Sequence, residues 1–114
     1  GTLGEGTLMT FPPDPLKLAA AQNVIARFRE KDFTPEGTTL NAYAAIQAMV
    51  RAMDATGGRD PRAMATWLRG GNRMTTVLGD ISFDAKGDLT TQSFIWLRWS
   101  NGRFSEAEDL NTAP

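Results

Sequence analysis

The first part of the chain carries apolar residues at helical spacing. They recur every three or four positions from about Leu16 to Lys31, and this period predicts an amphipathic helix. The apolar and β-branched stretch from Thr7 to Phe11 predicts a strand before it, which Pro12 and Pro13 end because proline cannot continue a strand ladder. The apolar face of this first helix consists of Leu18, Ala21, Val24, Ile25 and Phe28.

A second, longer helix is predicted from Thr38 or Thr39, either of which can serve as its N-cap, to about Thr56. Gly57 and Gly58 end it, since glycine readily takes the left-handed conformation of a helix C-cap. Alanines at 42, 44, 45, 48, 52 and 55 keep the helix slim, so that it can approach a sheet or another helix closely. Its apolar stripe, which we expect to face the core, consists of Tyr43, Ile46, Val50 and Met53.

A third helix is predicted to begin at Asp60 and Pro61. Aspartate is a favoured N-cap, and proline suits the first helical position because its missing N–H has no helical partner there. Gly70 and Gly71 end the helix. Its buried face consists of Met64, Trp67 and Leu68.

The last third of the chain predicts β-structure. Short extended segments run from Thr75 to Phe83, and a tight turn follows from Asp84 to Asp88. The stretch from Ser93 to Trp99 is apolar on both faces and predicts a strand that is covered on both sides. Asn101 and Gly102 predict a hairpin turn, and we expect the polar tail from Glu106 to Pro114 to be frayed. The order of these predicted elements indicates an α/β chain of about three helices followed by a β-hairpin region.

Composition narrows the class of protein. The chain has 114 residues, of which 41% are hydrophobic and 22% charged, and a net charge of −1, which is typical of a globular domain. This charge provides no basic field for nucleic acid. No apolar run approaches the roughly 20 residues of a membrane span, and no signal-peptide pattern opens the sequence. We therefore expect neither nucleic-acid binding nor membrane insertion.

The sequence contains no Cys and no His. This removes thiolate nucleophiles, the usual ligands of structural zinc, and the side chain most often used for proton transfer near neutral pH. No serine lies in a nucleophile elbow. Asp84 and Asp88 resemble part of a calcium loop, but the bidentate Glu that such a loop requires is missing, and a plain turn is favoured. The sequence predicts no enzyme activity, no metal site and no cofactor.

Three stretches, in this order, resemble the leucine/isoleucine/valine-binding protein family, which has the type I periplasmic binding fold. The first is Asn-Ala-Tyr-Ala-Ala-Ile-Gln-Ala at 41–48, and the second is the short helix from Asp60-Pro61 to Trp67-Leu68. The third, at 75–88, is similar to the family pattern of a Thr-Val-x-Gly strand, then Phe-Asp, then a Lys-Gly-Asp turn.

The resemblance implies a fold and a function. In that family two α/β lobes are joined by crossing segments and close on a ligand. Residues 1–114 would be the C-terminal portion of a periplasmic ligand-binding domain, an incomplete two-lobe fold. The implied function is the solute-binding subunit of an ABC importer, with an amino acid of branched-chain type or a related small carboxylate as ligand and ABC permease subunits as partners. The alternative is a ligand-sensing domain of a receptor or an amide-type regulator, and the neighbouring genes would distinguish the two.

The same resemblance places two candidate ligand-binding residues, Thr38 and Thr39. In the family the start of this helix faces the cleft, and an aromatic side chain there often packs on the apolar part of the ligand. A threonine hydroxyl would instead bond a more polar ligand, unless these residues serve only as an N-cap. For Tyr43 we favour a core position over a ligand contact.

The resemblance also implies that the strand ending at Phe11, with Pro12-Pro13, is one interlobe crossing and that 94–99 contains the last one. The alternative for the proline connector is a simple strand-to-helix loop. We expect the 114-residue chain not to bind ligand alone, because the opposing wall of the pocket is missing. We also expect it to self-associate through exposed apolar surface.

Overall fold

The computed structural model describes residues 2–91 and 94–112. The chain divides into two compact units, one made of the described residues of 1–13 and 92–114 and the other of residues 14–91. The helices are α1 Gln22–Arg29, α2 Gly37–Thr56, α3 Pro61–Arg69 and α4 Glu108–Asn111. The strands are β1 Leu8–Phe11, β2 Met74–Thr76, β3 Gly79–Ile81, β4 Ile95–Ser100 and β5 Arg103–Glu106. The predicted α/β class and the order of helices before β-hairpin are confirmed.

The first unit is a three-stranded antiparallel sheet in the order β1-β4-β5. Phe11 pairs with Ile95, and Trp99 pairs with Phe104. Asn101 and Gly102 both have positive φ, 53° and 80°, as a two-residue type I′ turn requires. The predicted hairpin is therefore confirmed.

Two predictions for this unit are wrong. The pattern from Ser93 to Trp99 predicts a strand covered on both sides, but Phe94 and Trp96 are exposed; Ser93 lies outside the described residues. The polar tail is not frayed over its described part. It forms α4 because Asn111 binds the backbone of Trp96 twice, accepting from its N–H at 2.7 Å and donating to its carbonyl at 3.1 Å. Residues 113 and 114 lie outside the described residues.

The second unit begins with two short 3-10 turns, Pro15–Lys17 and Ala19–Ala21, before α1. The helix is thus shorter than the predicted one from Leu16 to Lys31. The reason is Leu18, whose extended backbone (φ −71°, ψ 133°) interrupts the helical path. The Gln22 side chain donates to the carbonyls of Leu16 and Leu18 at 2.9 and 3.0 Å and so satisfies groups that a continuous helix would have paired.

Helix α2 begins at Gly37, two or three residues earlier than a cap at Thr38 or Thr39 would allow, and neither threonine is its N-cap. The N-cap is Glu36, whose side chain accepts from the backbone of Thr39, while the Thr39 hydroxyl oxygen accepts from the Glu36 N–H at 3.2 Å. This is a capping box with the carboxylate and hydroxyl exchanged between its two positions. Gly57, with φ 77°, ends the helix as predicted.

The predicted apolar stripe of α2 is not its buried face. Ile46, Val50 and Met53 are 60%, 48% and 44% exposed, and Tyr43 is half-buried. The residues that face the core are Leu40, Ala44, Ala48 and Ala52. Small side chains face the core because they let the helix backbone approach β2 and α3 closely. The bulky stripe would prevent that approach.

The remaining turns and caps of this unit follow the prediction. The Asp60 carboxylate accepts from the Arg62 N–H at 2.9 Å and caps α3. β2 and β3 form an antiparallel hairpin. The Asp84 carboxylate accepts from the backbone N–H groups of Lys86, Gly87 and Asp88 at 2.9, 3.0 and 3.0 Å, which explains the tight turn without a metal ion.

The core of the second unit consists of two clusters on the alanine side of α2. The first joins Ala21, Ile25, Leu40, Ala44 and Val77. The second joins Ala48, Met74 and Ile81, with half-buried Trp67 and Leu68 of α3 packed against it. Within the described residues, no helix has both the length and the apolar character that crossing a bilayer demands.

Candidate functional site

An open depression of about 570 Å³ runs along α2 in the second unit. Its volume lies in the range of small-molecule sites, which are commonly apolar clefts with a few polar groups. One helix face supplies most of the wall, and α1 and β2 each add one residue. The lining residues are Phe28, Thr39, Ala42, Tyr43, Ile46, Gln47, Val50, Arg51, Asp54 and Thr75.

Of the two candidate ligand residues, the structure brings only Thr39 to this depression. Its hydroxyl oxygen accepts one bond from Glu36, so its O–H remains able to donate and one lone pair remains able to accept. It lies in the first turn of a 20-residue helix, where the carboxylate of the N-cap Glu36 already supplies the negative charge that the helix dipole favours. Thr38 is exposed and does not line the depression.

Aromatic rings form the wall beside Thr39. Phe28 meets Tyr43 edge-on, with ring centroids 6.2 Å apart. Tyr43 is half-buried and packs against the first core cluster, as we predicted, while one side of it also lines the depression.

The opposite end of the depression is polar. Thr75 donates to the Asp80 carboxylate at 2.7 Å, and Arg73 donates to it at 2.6 Å. These bonds, the Thr75 hydroxyl first and the Arg73 guanidinium next, hold the pKa of Asp80 below its ordinary value. A second depression of about 470 Å³ shares Arg51, Asp54 and Thr75 with the first.

Sequence reasoning missed several residues of this site. Gln47 both lines the depression and accepts the Val77 N–H at 2.9 Å, which fixes β2 and its turn to α2. Thr39, Tyr43, Ile46, Gln47 and Val50 follow helical spacing, so a helical projection would have grouped them. Phe28 and Thr75 come from other elements, and nothing in the local pattern points to them.

The described residues hold no group of three acidic side chains that could bind a metal ion. Several acidic side chains of these residues make caps, turns and surface ion pairs, such as Asp60 at the start of α3 and Asp88 with Lys86 at 2.7 Å. What the depression offers is a largely apolar wall that carries the hydroxyl groups of Thr39 and Tyr43, a combination suited to binding a small molecule.

Comparison with curated proteins finds clear relatives. The chain is 42% identical over 102 residues to the Leu/Ile/Val-binding protein homolog 2 of Brucella abortus (strain 2308), a match that covers 90% of this chain and 28% of the relative. It is 37% identical over 97 residues to an amino acid binding protein of Pseudomonas aeruginosa, covering 85% of this chain and 26% of the relative. The chain thus spans less than a third of the length of these proteins. No family model matches the sequence.

Solved structures show the same fold. A leucine-binding protein from Thermotoga maritima superimposes with a TM-score of 0.67 at 23% identity, covering 96% of this chain and 33% of that one. An ABC transporter substrate-binding protein from Desulfitobacterium hafniense in complex with Leu gives 0.68 at 24% identity, with coverages of 90% and 31%. A solute-binding protein from R. palustris in complex with benzoate gives 0.60 at 18% identity, with coverages of 94% and 30%. Over the aligned range the chain is similar to Leu/Ile/Val-binding proteins, and the resemblance predicted from its motifs is confirmed.

Proposed function

We propose that this chain is part of the solute-binding subunit of an ABC importer, working in the periplasm and delivering its ligand to the permease subunits. The proposed ligand is an amino acid of branched-chain type or a related small carboxylate. The observation that carries the proposal is the 42% identity over 102 residues to a Leu/Ile/Val-binding protein homolog. The names of the fold neighbours, one in complex with Leu and one with benzoate, support a small carboxylate.

In the proposed site the ligand carboxylate lies near the start of α2. The free O–H of Thr39 donates to it. The apolar side chain of the ligand packs against Phe28 and Tyr43, where burial removes apolar surface from water. Thr38 stays a predicted contact, one that would require a ligand reaching beyond the depression.

Capture requires a second wall. The depression is open along one side, whereas drug-sized ligands in established sites are roughly 70–90% buried. We therefore propose that ligand is held when the rest of the binding domain closes over this surface. The 114-residue chain alone is expected not to bind.

The test uses a graft, defined as the Brucella abortus relative in which the aligned range is replaced by the corresponding residues of this chain. Leucine, isoleucine, valine and benzoate are titrated into the graft, into the unaltered relative and into the 114-residue chain, following heat and tryptophan fluorescence. The expected result is saturable binding by the graft and by the relative, and none by the 114-residue chain. A folded graft that binds none of these ligands, beside a relative that does, contradicts the proposal.

The role of Thr39 is tested in the same graft. Thr39→Val removes the hydroxyl at nearly constant size, and we expect it to weaken carboxylate binding by about tenfold, the equivalent of one hydrogen bond to a charged group. Thr39→Ser restores the donor and should recover most of the affinity. Asn41→Ala, at an exposed position of the same helix that does not line the depression, is the control and should change affinity by less than roughly twofold. Equal losses at both positions would show that the depression is not the carboxylate site.

A further inference from the structure

The Asn101-Gly102 turn between β4 and β5 carries a chemistry that the proposed function does not use. An asparagine can lose its side-chain amide when the next backbone nitrogen attacks the side-chain carbonyl carbon. A following glycine favours this attack, because it has no Cβ to crowd the ring that forms and its backbone is the most permissive. Among the asparagines of the sequence, Asn101 alone is followed by glycine.

The nitrogen that would attack is unbound in the structure. Ser100 and Arg103 pair with each other at the ends of the two strands and leave Asn101 and Gly102 as the exposed tip of the turn. Within the described part of the chain, the Gly102 N–H has no hydrogen-bond partner. A Cβ added at Gly102 would meet nothing within 4 Å. Solvent base and water therefore reach this nitrogen freely.

The carboxamide that would be lost is held weakly. Nδ2 of Asn101 donates to the Ser100 hydroxyl oxygen at 3.3 Å, which is long for such a bond. By contrast, Nδ2 of Asn72 donates to a backbone carbonyl at 2.6 Å. Asn111 binds the backbone of Trp96 with both ends of its amide, at 2.7 and 3.1 Å. The Asn101 side chain is thus the one of these three that can turn toward the next nitrogen without losing a strong bond.

We infer that Asn101 is a site of deamidation, with water as the co-reactant. The Gly102 nitrogen gives its proton to solvent base and bonds to Cγ of Asn101. The bond from Cγ to Nδ2 breaks, and the leaving nitrogen takes up a proton and departs as ammonia. Water then opens the succinimide ring at one of its two carbonyl carbons. Opening at Cγ gives aspartate, and opening at the backbone carbon gives isoaspartate, whose main chain runs through Cβ and Cγ.

Either product changes the contacts of the turn. The Asn101 N–H donates to the Glu5 carboxylate at 2.9 Å, and both products add a second carboxylate beside it, so the two repel each other. Isoaspartate also lengthens the main chain of a two-residue turn by one atom, which disturbs the register that the turn sets. That register places Trp99 against Phe104, with ring centroids 4.9 Å apart. We expect the isoaspartyl form to open the β4–β5 hairpin locally.

The experiment follows the 114-residue chain during incubation in mildly alkaline buffer, with brief tryptic digestion of samples taken at intervals. Trypsin releases residues 99–103, in which Asn101 is the one asparagine. Mass spectrometry with reversed-phase separation measures the asparaginyl, aspartyl and isoaspartyl forms of this peptide. The tryptic peptides that contain Asn72 and Asn111 provide the internal comparison. A parallel incubation in urea gives the rates in the unfolded chain.

We expect Asn101 to be lost at least about tenfold faster than Asn72 or Asn111 in the folded chain, because reaction at those two requires local opening that releases their bonds. Both isomers should appear. Equal rates at the three positions would overturn the proposal. Loss of Asn101 in urea but not in the folded chain would also overturn it, since the turn would then protect the residue. Aspartate as the sole product would indicate direct hydrolysis of the amide and contradict the ring mechanism.

Two variants separate the reaction from its consequence. Gly102→Ala crowds the ring and should slow the loss of Asn101 by at least about tenfold. Because alanine is strained at the φ of 80°, this rate is also compared in urea, where an unchanged rate would contradict the mechanism. Asn101→Asp adds the charge without lengthening the main chain. We expect faster amide exchange in β5 for the purified isoaspartyl form than for this variant, and equal exchange would show that the added atom does not open the hairpin.

Discussion

The two faces of α2 have opposite compositions and opposite surroundings. The buried face has one large side chain, Leu40, which is fully buried, and three alanines. The open face has Ile46, Met49, Val50 and Met53. By hydrophobicity alone the open face would be chosen as the core, and the predicted stripe included three of its residues, Ile46, Val50 and Met53. The contrast shows that close packing within this chain is achieved by small residues, while the bulky residues remain available for another surface.

The largest expected effect is on the buried face. Leu40→Ala should lower the free energy of unfolding by about 3 kcal/mol, because it truncates a large side chain that is fully buried in the core and leaves a cavity. Ile46→Ala on the open face should change it by less than about 0.5 kcal/mol in the 114-residue chain. Urea unfolding followed by circular dichroism measures both. Similar losses at the two positions would contradict the assignment of the faces.

The alanines of the buried face are expected to be intolerant of larger residues. Ala48→Leu should destabilise the chain by about 2 kcal/mol, because the added methylene groups force apart α2, Met74 and Ile81. Ala45→Leu, an exposed position on the same helix, is the control and should be neutral or slightly stabilising. The same urea titration checks this pair, and tolerance of leucine at 48 would show that the helix does not need a slim face.

A smaller effect is expected at the edge between the faces. Gln47→Met keeps the shape but removes the acceptor for the Val77 N–H, leaving a buried amide unpaired at a cost of about 1.5 kcal/mol. Gln47→Glu retains an acceptor oxygen and should recover part of the loss. Hydrogen exchange at the Val77 amide provides an independent measurement. Unchanged protection in the methionine variant would show that this bond does not hold the hairpin.

The smallest expected effect is a change of stability with pH. It reports on the β2–β3 hairpin alone, because neither the buried face nor the open face of α2 carries a titrating group. The pKa of Asp80 is lowered by Thr75 and Arg73, so this carboxyl stabilises the folded chain above the ordinary aspartate range and loses that contribution as the pH falls below about 4. Thr75→Val should make the decline at low pH shallower, as measured by urea unfolding at a series of pH values. An equal or steeper decline in that variant would mean that the hydroxyl does not stabilise the charged carboxylate.

Local signals in the sequence were sufficient for much of the fold. Asp60 before Pro61, Gly57 after α2, and Asn101-Gly102 each act through their own backbone, so each could be identified without knowing the neighbours. The face of α2 and the covering of β4 depend on which distant elements pack there, and local pattern does not contain that information. The predicted start of α1 was wrong for a related reason. The bonds that the Gln22 side chain donates to the carbonyls of Leu16 and Leu18 favour separate turns over a continuous helix.

The candidate site, like the fold, could be predicted from the sequence only in part. Thr39 was predicted because the family resemblance points to the start of this helix, and it lines the depression whereas Thr38 does not. Phe28 from α1 completes the aromatic wall of the depression, and Thr75 from β2 lines its polar end. Their proximity arises from the tertiary fold, so no spacing rule along the chain would have joined them to Thr39.

The pairing of β1 with β4 bears on how the chain folds. Phe11 lies opposite Ile95, and the whole second unit separates them in sequence. Closing so long a loop early would restrict an unfolded segment at a considerable entropic cost. If residues 14–91 fold first, their compaction shortens the effective loop and brings the two strand segments near each other. The three-stranded sheet is therefore expected to form late, and its rate of formation should depend on the integrity of a core to which it contributes no residue.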